Sequence, residues 1–266
     1  MATIIGVLYE EINPLIVGIK YSGTDLSFYS KGKSFPSLLD TTISQTLSSV
    51  LFPVMAKVQD DQTMVLTITR RYMKVASFVI FPVMVGFFAV SESFVQVILT
   101  EKWLPIVPYI QIFCVSSMFN LVQKGNLEAI KAIGRSDIIL ILEIIKKSLY
   151  FLVIIGFVFW TNHPEMLALS AIICTVIASI VNTYPNRKLI GYKYRYQILD
   201  IFPNLILAIV MGAVVYGLGY LPISVYLVFP LQILAGIMVY VLLSAISRNE
   251  SFFYALRTIK QFAKRI

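Results

Sequence analysis

Charge is scarce in this chain, and histidine and cysteine are nearly absent. Of 266 residues, 22 are Lys or Arg, 14 are Asp or Glu and one is His; charged residues make up 14%, where a soluble domain carries roughly a quarter. The single histidine, His163 in WTNHPE, stands beside Pro with no carboxylate constellation near it, so it reads as a turn residue. The two cysteines, Cys114 and Cys174, lie inside apolar runs with neither CxxC spacing nor a His partner. They read as buried thiols, and no metal site is expected. No Walker motif, HExxH helix, nucleophile elbow or Gly-rich nucleotide loop occurs, so no catalytic residue, cofactor or enzyme activity is expected.

Apolar residues are abundant. They form 58% of the chain, and its mean hydropathy is +0.81. The fold class that follows is an all-α, polytopic membrane helix bundle. The net charge of +8 would suggest nucleic acid in a soluble protein. Here the cations gather in short connections between apolar runs, where they set topology, so no nucleic-acid partner is expected. About eight transmembrane helices are read, over residues 2–20, 33–57, 67–98, 104–133, 137–161, 164–188, 199–219 and 222–246. The first run, ATIIGVLYEEINPLIVGIKY, has no basic region or small-residue cleavage site before it, unlike a signal peptide. The last twenty residues, SRNESFFYALRTIKQFAKRI, put Phe252, Phe253 and Leu256 on one helical face and Arg257, Lys260, Lys264 and Arg265 on another. That pattern predicts an amphipathic tail lying on membrane lipid.

Basic residues also give an orientation. With an even number of spans, one side of the membrane receives only Lys20, Lys31, Lys33 and Lys102 of the 22. The positive-inside rule then puts both termini in the cytoplasm.

Three places carry polarity where lipid would not tolerate it unpaired. Glu10 and Glu11, with Asn13 and the helix-disrupting Pro14, lie within the first span. Two adjacent acids cost a few kcal/mol each there, and they read either as a polar cavity wall answering cations or protons, or as a shallow pair near the surface. Lys31 and Lys33, with Lys20 and two tyrosines, run against the topogenic rule. They suit an anionic ligand such as a pyrophosphate, or equally an aromatic belt with snorkelling lysines. Lys124, flanked by Asn120, Gln123 and Asn126, is either a polar knot within the fourth span or its cytoplasmic end. The second span is dotted with Ser, Thr and Gln45, so one of its faces should meet protein or water: the first hint of a transport cavity.

FYSKGKSFPSLL, SSVLFPVMAKVQDD, RRYMKVASFVIFPVMVGFFAV, LTEKWLPIVPYIQIFC, AIGRSDIILILEIIKK and NTYPNRKLIGYKYRYQILDIFP follow one another along the chain. In that order they resemble the polysaccharide transporter family, the Wzx-like O-antigen and lipopolysaccharide exporters of the multidrug/oligosaccharidyl-lipid/polysaccharide flippase superfamily. The resemblance implies the second of two six-helix bundles at 1–190, two additional helices at 191–247 and a basic cytoplasmic tail at 248–266. It implies flipping of an undecaprenyl-pyrophosphate-linked oligosaccharide across the bacterial inner membrane, for lipopolysaccharide, capsule or exopolysaccharide biosynthesis. Family members are roughly twice as long, so the chain is expected to be a truncated half whose partner is a missing N-terminal half or a second chain. Substrate-cavity candidates are Glu10, Glu11, Asn13, Lys31, Lys33, Gln45 and Lys124. Three other readings stay open: a cation-coupled drug exporter, a membrane-embedded polysaccharide polymerase, and a nonfunctional remnant.

Overall fold

The computed structural model describes residues 12–263, with side chains at all of these except 255 and 258–263. Among the described residues there is no strand. The helices are α1 over residues 12–20, α2 Gly23–Ala56, α3 Gln62–Phe94, α4 Val107–Ala132, α5 Ser136–Trp160, α6 Pro164–Leu189, α7 Tyr194–Leu218, α8 Val225–Ile246 and α9 Glu250–Ala263. The expected all-α bundle is therefore what the sequence builds. A π-helical turn, Val95–Leu99, and a 3-10 turn, Glu101–Ile106, link α3 to α4.

Among the described residues, five stretches are long and apolar enough to cross a membrane: Gln62–Leu99, Glu101–Ala132, Pro164–Leu189, Tyr194–Leu218 and Val225–Ile246. The chain is a multi-pass membrane protein. Helices α2 and α5 occupy two more of the expected spans but fall outside that set. Ser and Thr dilute the apolar content of α2, while Asp137, Glu143, Lys146 and Lys147 interrupt the otherwise apolar α5.

Local chemistry sets where the helices begin. The second span starts about ten residues earlier than the sequence suggested, because Ser22 and Asp25 form a capping box. Ser22 Oγ accepts from the Asp25 amide at 3.1 Å, and the Ser22 amide donates to Asp25 Oδ2 at 3.1 Å. Lys31 and Lys33 consequently lie inside α2 and not in a loop before it. Asp61 starts α3 by accepting from the amides of Thr63 and Met64, each at 3.0 Å. Pro164 stands at the first turn of α6, next to His163.

Helix α3 is the mast of the bundle, packed against α4, α7, α8, α2 and α9. Its buried Met73, Ala76, Ile80 and Met84 join Met55 of α2, Ile110 and Leu121 of α4 and Met211 of α7 in the main core. Close approach depends on two glycines. A Cβ on Gly32 would stand 2.4 Å from Tyr109 Cβ, so α2 can touch α4 only with glycine there. A Cβ on Gly212 would stand 2.3 Å from Val85 Cγ1, which is how α7 lies against α3. A smaller cluster of Val17, Tyr29, Tyr109, Phe113, Ile154 and Leu167 ties α1 and α2 to α4, α5 and α6. Cys114 and Cys174 are both buried and unpaired, as read.

Polar side chains bolt the helices together at the end where α3 begins. Arg70 forks onto Asp200 with two bonds of 2.9 Å, and Tyr192 donates to the same carboxylate at 3.0 Å. Asn126, fully buried, exchanges bonds with Thr183, Asn186 and Gln197 and so joins α4, α6 and α7. Asn204 of α7 donates to the Lys74 carbonyl and to Ser77 of α3, and accepts from Asn249 just before α9.

Candidate functional site

Helix α2 buries one side and leaves the other open. Tyr29, Gly32, Pro36, Asp40 and Ser44 face the bundle. Ser27, Ser30, Lys31, Ser34, Leu38, Thr41, Thr42, Gln45, Thr46 and Ser49 are exposed, and their spacing of three or four residues makes them a single stripe. Several of these hydroxyls bond back to their own helix. Ser34 donates to the Lys31 carbonyl, Thr42 to Leu38, Thr46 to Thr42 and Ser49 to Thr46, each at 2.8 Å. A stripe of hydroxyls and one amide is at home against water or protein, not hydrocarbon.

Behind the stripe sits a charge pair that sequence reasoning did not find. Asp40, near the midpoint of α2, is 5% exposed. Its carboxylate accepts from Lys124 Nζ at 2.9 Å, Ser44 Oγ at 3.0 Å and Asn120 Nδ2 at 3.3 Å. An ion buried at this depth costs several kcal/mol unless it is paired and its lone pairs are filled, and here both conditions hold. The signal available in the sequence was a lone acid within a run free of Lys and Arg, which needs a cation from another helix. Which cation could not be read, because Lys124 lies two helices further on.

The candidate residues separate as follows. Glu10 and Glu11 lie outside the described residues. Asn13, on α1, stands beside the buried Tyr29 of α2. Lys31 and Gln45 share the open stripe, with the Lys31 ammonium 5.6 Å from the centre of the Phe35 ring. Lys33, two residues from Lys31, points about 160° away from it around the helix. Lys124 points at Asp40. Lys20 donates to the Val158 carbonyl and to Thr161 O at 2.6 Å, so it caps the end of α5. The structure thus joins Lys31 with Gln45 and places Lys124 behind them, while Lys33 and Lys20 stand apart.

The chain is similar to several known proteins. Residues 1–108 match the family described as polysaccharide biosynthesis protein. The lipopolysaccharide biosynthesis protein WzxC of Escherichia coli K12 is 26% identical over 182 residues, covering 66% of this chain and 36% of WzxC. The teichuronic acid biosynthesis protein TuaB of Bacillus subtilis 168 is 21% identical over 216 residues, covering 80% of this chain and 44% of TuaB.

The chain resembles polysaccharide biosynthesis proteins.

Among solved structures, the lipid II flippase MurJ in its inward closed conformation superposes with a TM-score of 0.78 at 19% identity. The match covers 92% of this chain and 52% of MurJ, so the two share a fold. The chain spans between about a third and a half of the length of these relatives. Its open stripe can bind and release a polyhydroxylated group through hydrogen bonds. Lys31 adds a cation towards the N-terminal end of the stripe, where an anion could meet it.

Proposed function

We propose that the chain forms one wall of a flippase for lipid-linked saccharides. A second bundle, on a longer polypeptide or a separate chain, would face α2 and close the cavity. The stripe of Ser, Thr and Gln on α2 carries this reading, because such a face at membrane depth needs a wet or protein-lined neighbour. Its support is the resemblance to polysaccharide biosynthesis proteins and the fold shared with a lipid flippase. In the finer form, the substrate is an undecaprenyl-pyrophosphate-linked oligosaccharide. Its sugars would run along Thr41, Gln45 and Ser49, and its pyrophosphate would meet Lys31. The bundle would span residues 1–190 with accessory helices at 191–247 and a tail at 248–266. It would lie in the bacterial inner membrane with both termini cytoplasmic, as the bias of Lys and Arg suggests. Transport by rocking of one bundle against another needs no covalent step.

The test replaces Thr41, Gln45 and Ser49 together with Leu in the full transporter and follows arrival of lipid-linked saccharide on the outer leaflet. Loss of a few kcal/mol of polar contact lowers flipping by about tenfold or more, with membrane insertion unchanged. Undiminished flipping would sink the proposal.

A further inference from the structure

At the opposite end of the bundle from Lys31, α9 folds back beside the start of α3 and borders an open cavity of about 660 Å³. Five cations line it, Arg70, Arg71, Lys74, Arg248 and Arg257, against a single acid, Glu250. Two of the five are answered within the protein. Arg70 is held by Asp200, and Lys74 Nζ lies 2.7 Å from Glu250 Oε2. Among the described residues, no carboxylate pairs with Arg71, Arg248 or Arg257. The Arg71 guanidinium instead lies 5.1 Å from the centre of the Tyr254 ring.

The backbone adds a separate observation. Arg248 has φ 49, the left-handed region where glycine is at ease and a long side chain is not. It ends α8 there, its amide bonding the Ala245 carbonyl and that of Asn249 bonding Ser244. Glycine would serve this turn better, so an arginine aimed into a basic cavity calls for a reason other than the turn. The cavity is also built in advance. Asn249 accepts from the amides of Ser251 and Phe252 to start α9, and its Nδ2 donates to Asn204 of α7, which is bound to α3. Phe253 and Leu256 are exposed beside it, placing apolar side chains where acyl chains would begin.

We propose that this cradle between α3 and α9 is a binding site for a phosphate-bearing anion, occupied by the headgroup of an anionic membrane phospholipid. Guanidinium groups fork onto phosphate oxygens, and three of them with no carboxylate partner among the described residues hold a net negative headgroup better than a zwitterionic one. The site is separate from the α2 stripe and does not depend on what the stripe carries.

Native mass spectrometry of the detergent-purified full chain, titrated with phosphatidylglycerol, phosphatidylcholine and inorganic phosphate, tests it. Phosphatidylglycerol should bind about tenfold more tightly than phosphatidylcholine, and Arg71→Gln with Arg257→Gln should remove that preference. Arg248→Gly guards against a folding artefact: it relieves the backbone, so the melting temperature holds or rises while phosphatidylglycerol binding weakens severalfold. Persistence of the lipid in millimolar phosphate supports a headgroup as the occupant. Displacement by phosphate supports the anion site and makes its occupant a free phosphate. Equal binding of the two lipids, or wild-type phosphatidylglycerol binding in both variants, overturns the proposal.

Discussion

Asp40 and Lys124 hold each other in place at the depth where neither could stand alone, and their mutual dependence can be measured. Lys124→Met leaves the buried carboxylate with only Ser44 and Asn120, and should destabilise the protein by about 3–5 kcal/mol. Asp40→Leu combined with Lys124→Met removes both charges and should recover most of that loss. Thermal unfolding in detergent reads both, and a double variant as unstable as the single one would show that the pair is not the cause. The sequence marked Lys124 as a polar knot but left it between the membrane and the cytoplasm. Its partner lies 84 residues away, a separation at which no local pattern operates. Lys20 was ambiguous for a similar reason: the carbonyls it caps belong to α5, and only the packed bundle brings them near.

At the level of the helix, the α2–α4 contact turns on one missing methyl group. Gly32→Val would drive its side chain into Tyr109 and the adjacent backbone, costing about 1–3 kcal/mol and loosening α2. Gly23→Ala is the control, since nothing lies within 4 Å of that position. A lowered melting temperature for the first variant and not the second is expected; equal melting would refute the tight contact. Most helices were legible from apolar runs and from the Pro, Gly and charged residues between them. The start of α2 was not, because the residues after Ser22 are too polar to read as a span, and the capping box that begins the helix depends on only Ser22 and Asp25. The polar face of α2 was legible as composition, whereas its continuity as a stripe required the true helix start and its packing.

Across the whole molecule, Asn204 couples helix α7 to both the mast α3 and the segment before α9. Asn204→Ala cuts the bonds to Lys74, Ser77 and Asn249 together. Hydrogen exchange over residues 250–257 should then accelerate about tenfold while α2 and α4 keep their protection. Uniform acceleration would show that the bundle opens as one unit. The order of the helices along the described residues could be read in advance, but not that α3 would be their common neighbour, since helix order in space is set by which apolar faces fit.

The hydroxyls of α2 have one further consequence. Ser34, Thr42, Thr46 and Ser49 each donate their proton to a carbonyl of their own helix. What they turn outward is therefore lone pairs: the stripe solicits donors and has few to give. A phosphate, which accepts, gains nothing from these four and must look to the ammonium of Lys31 or the amide of Gln45. A sugar, carrying a proton on every hydroxyl, finds an acceptor at nearly every turn, so the two ends of a glycosylated lipid would sort themselves by polarity of hydrogen bonding along a single helix.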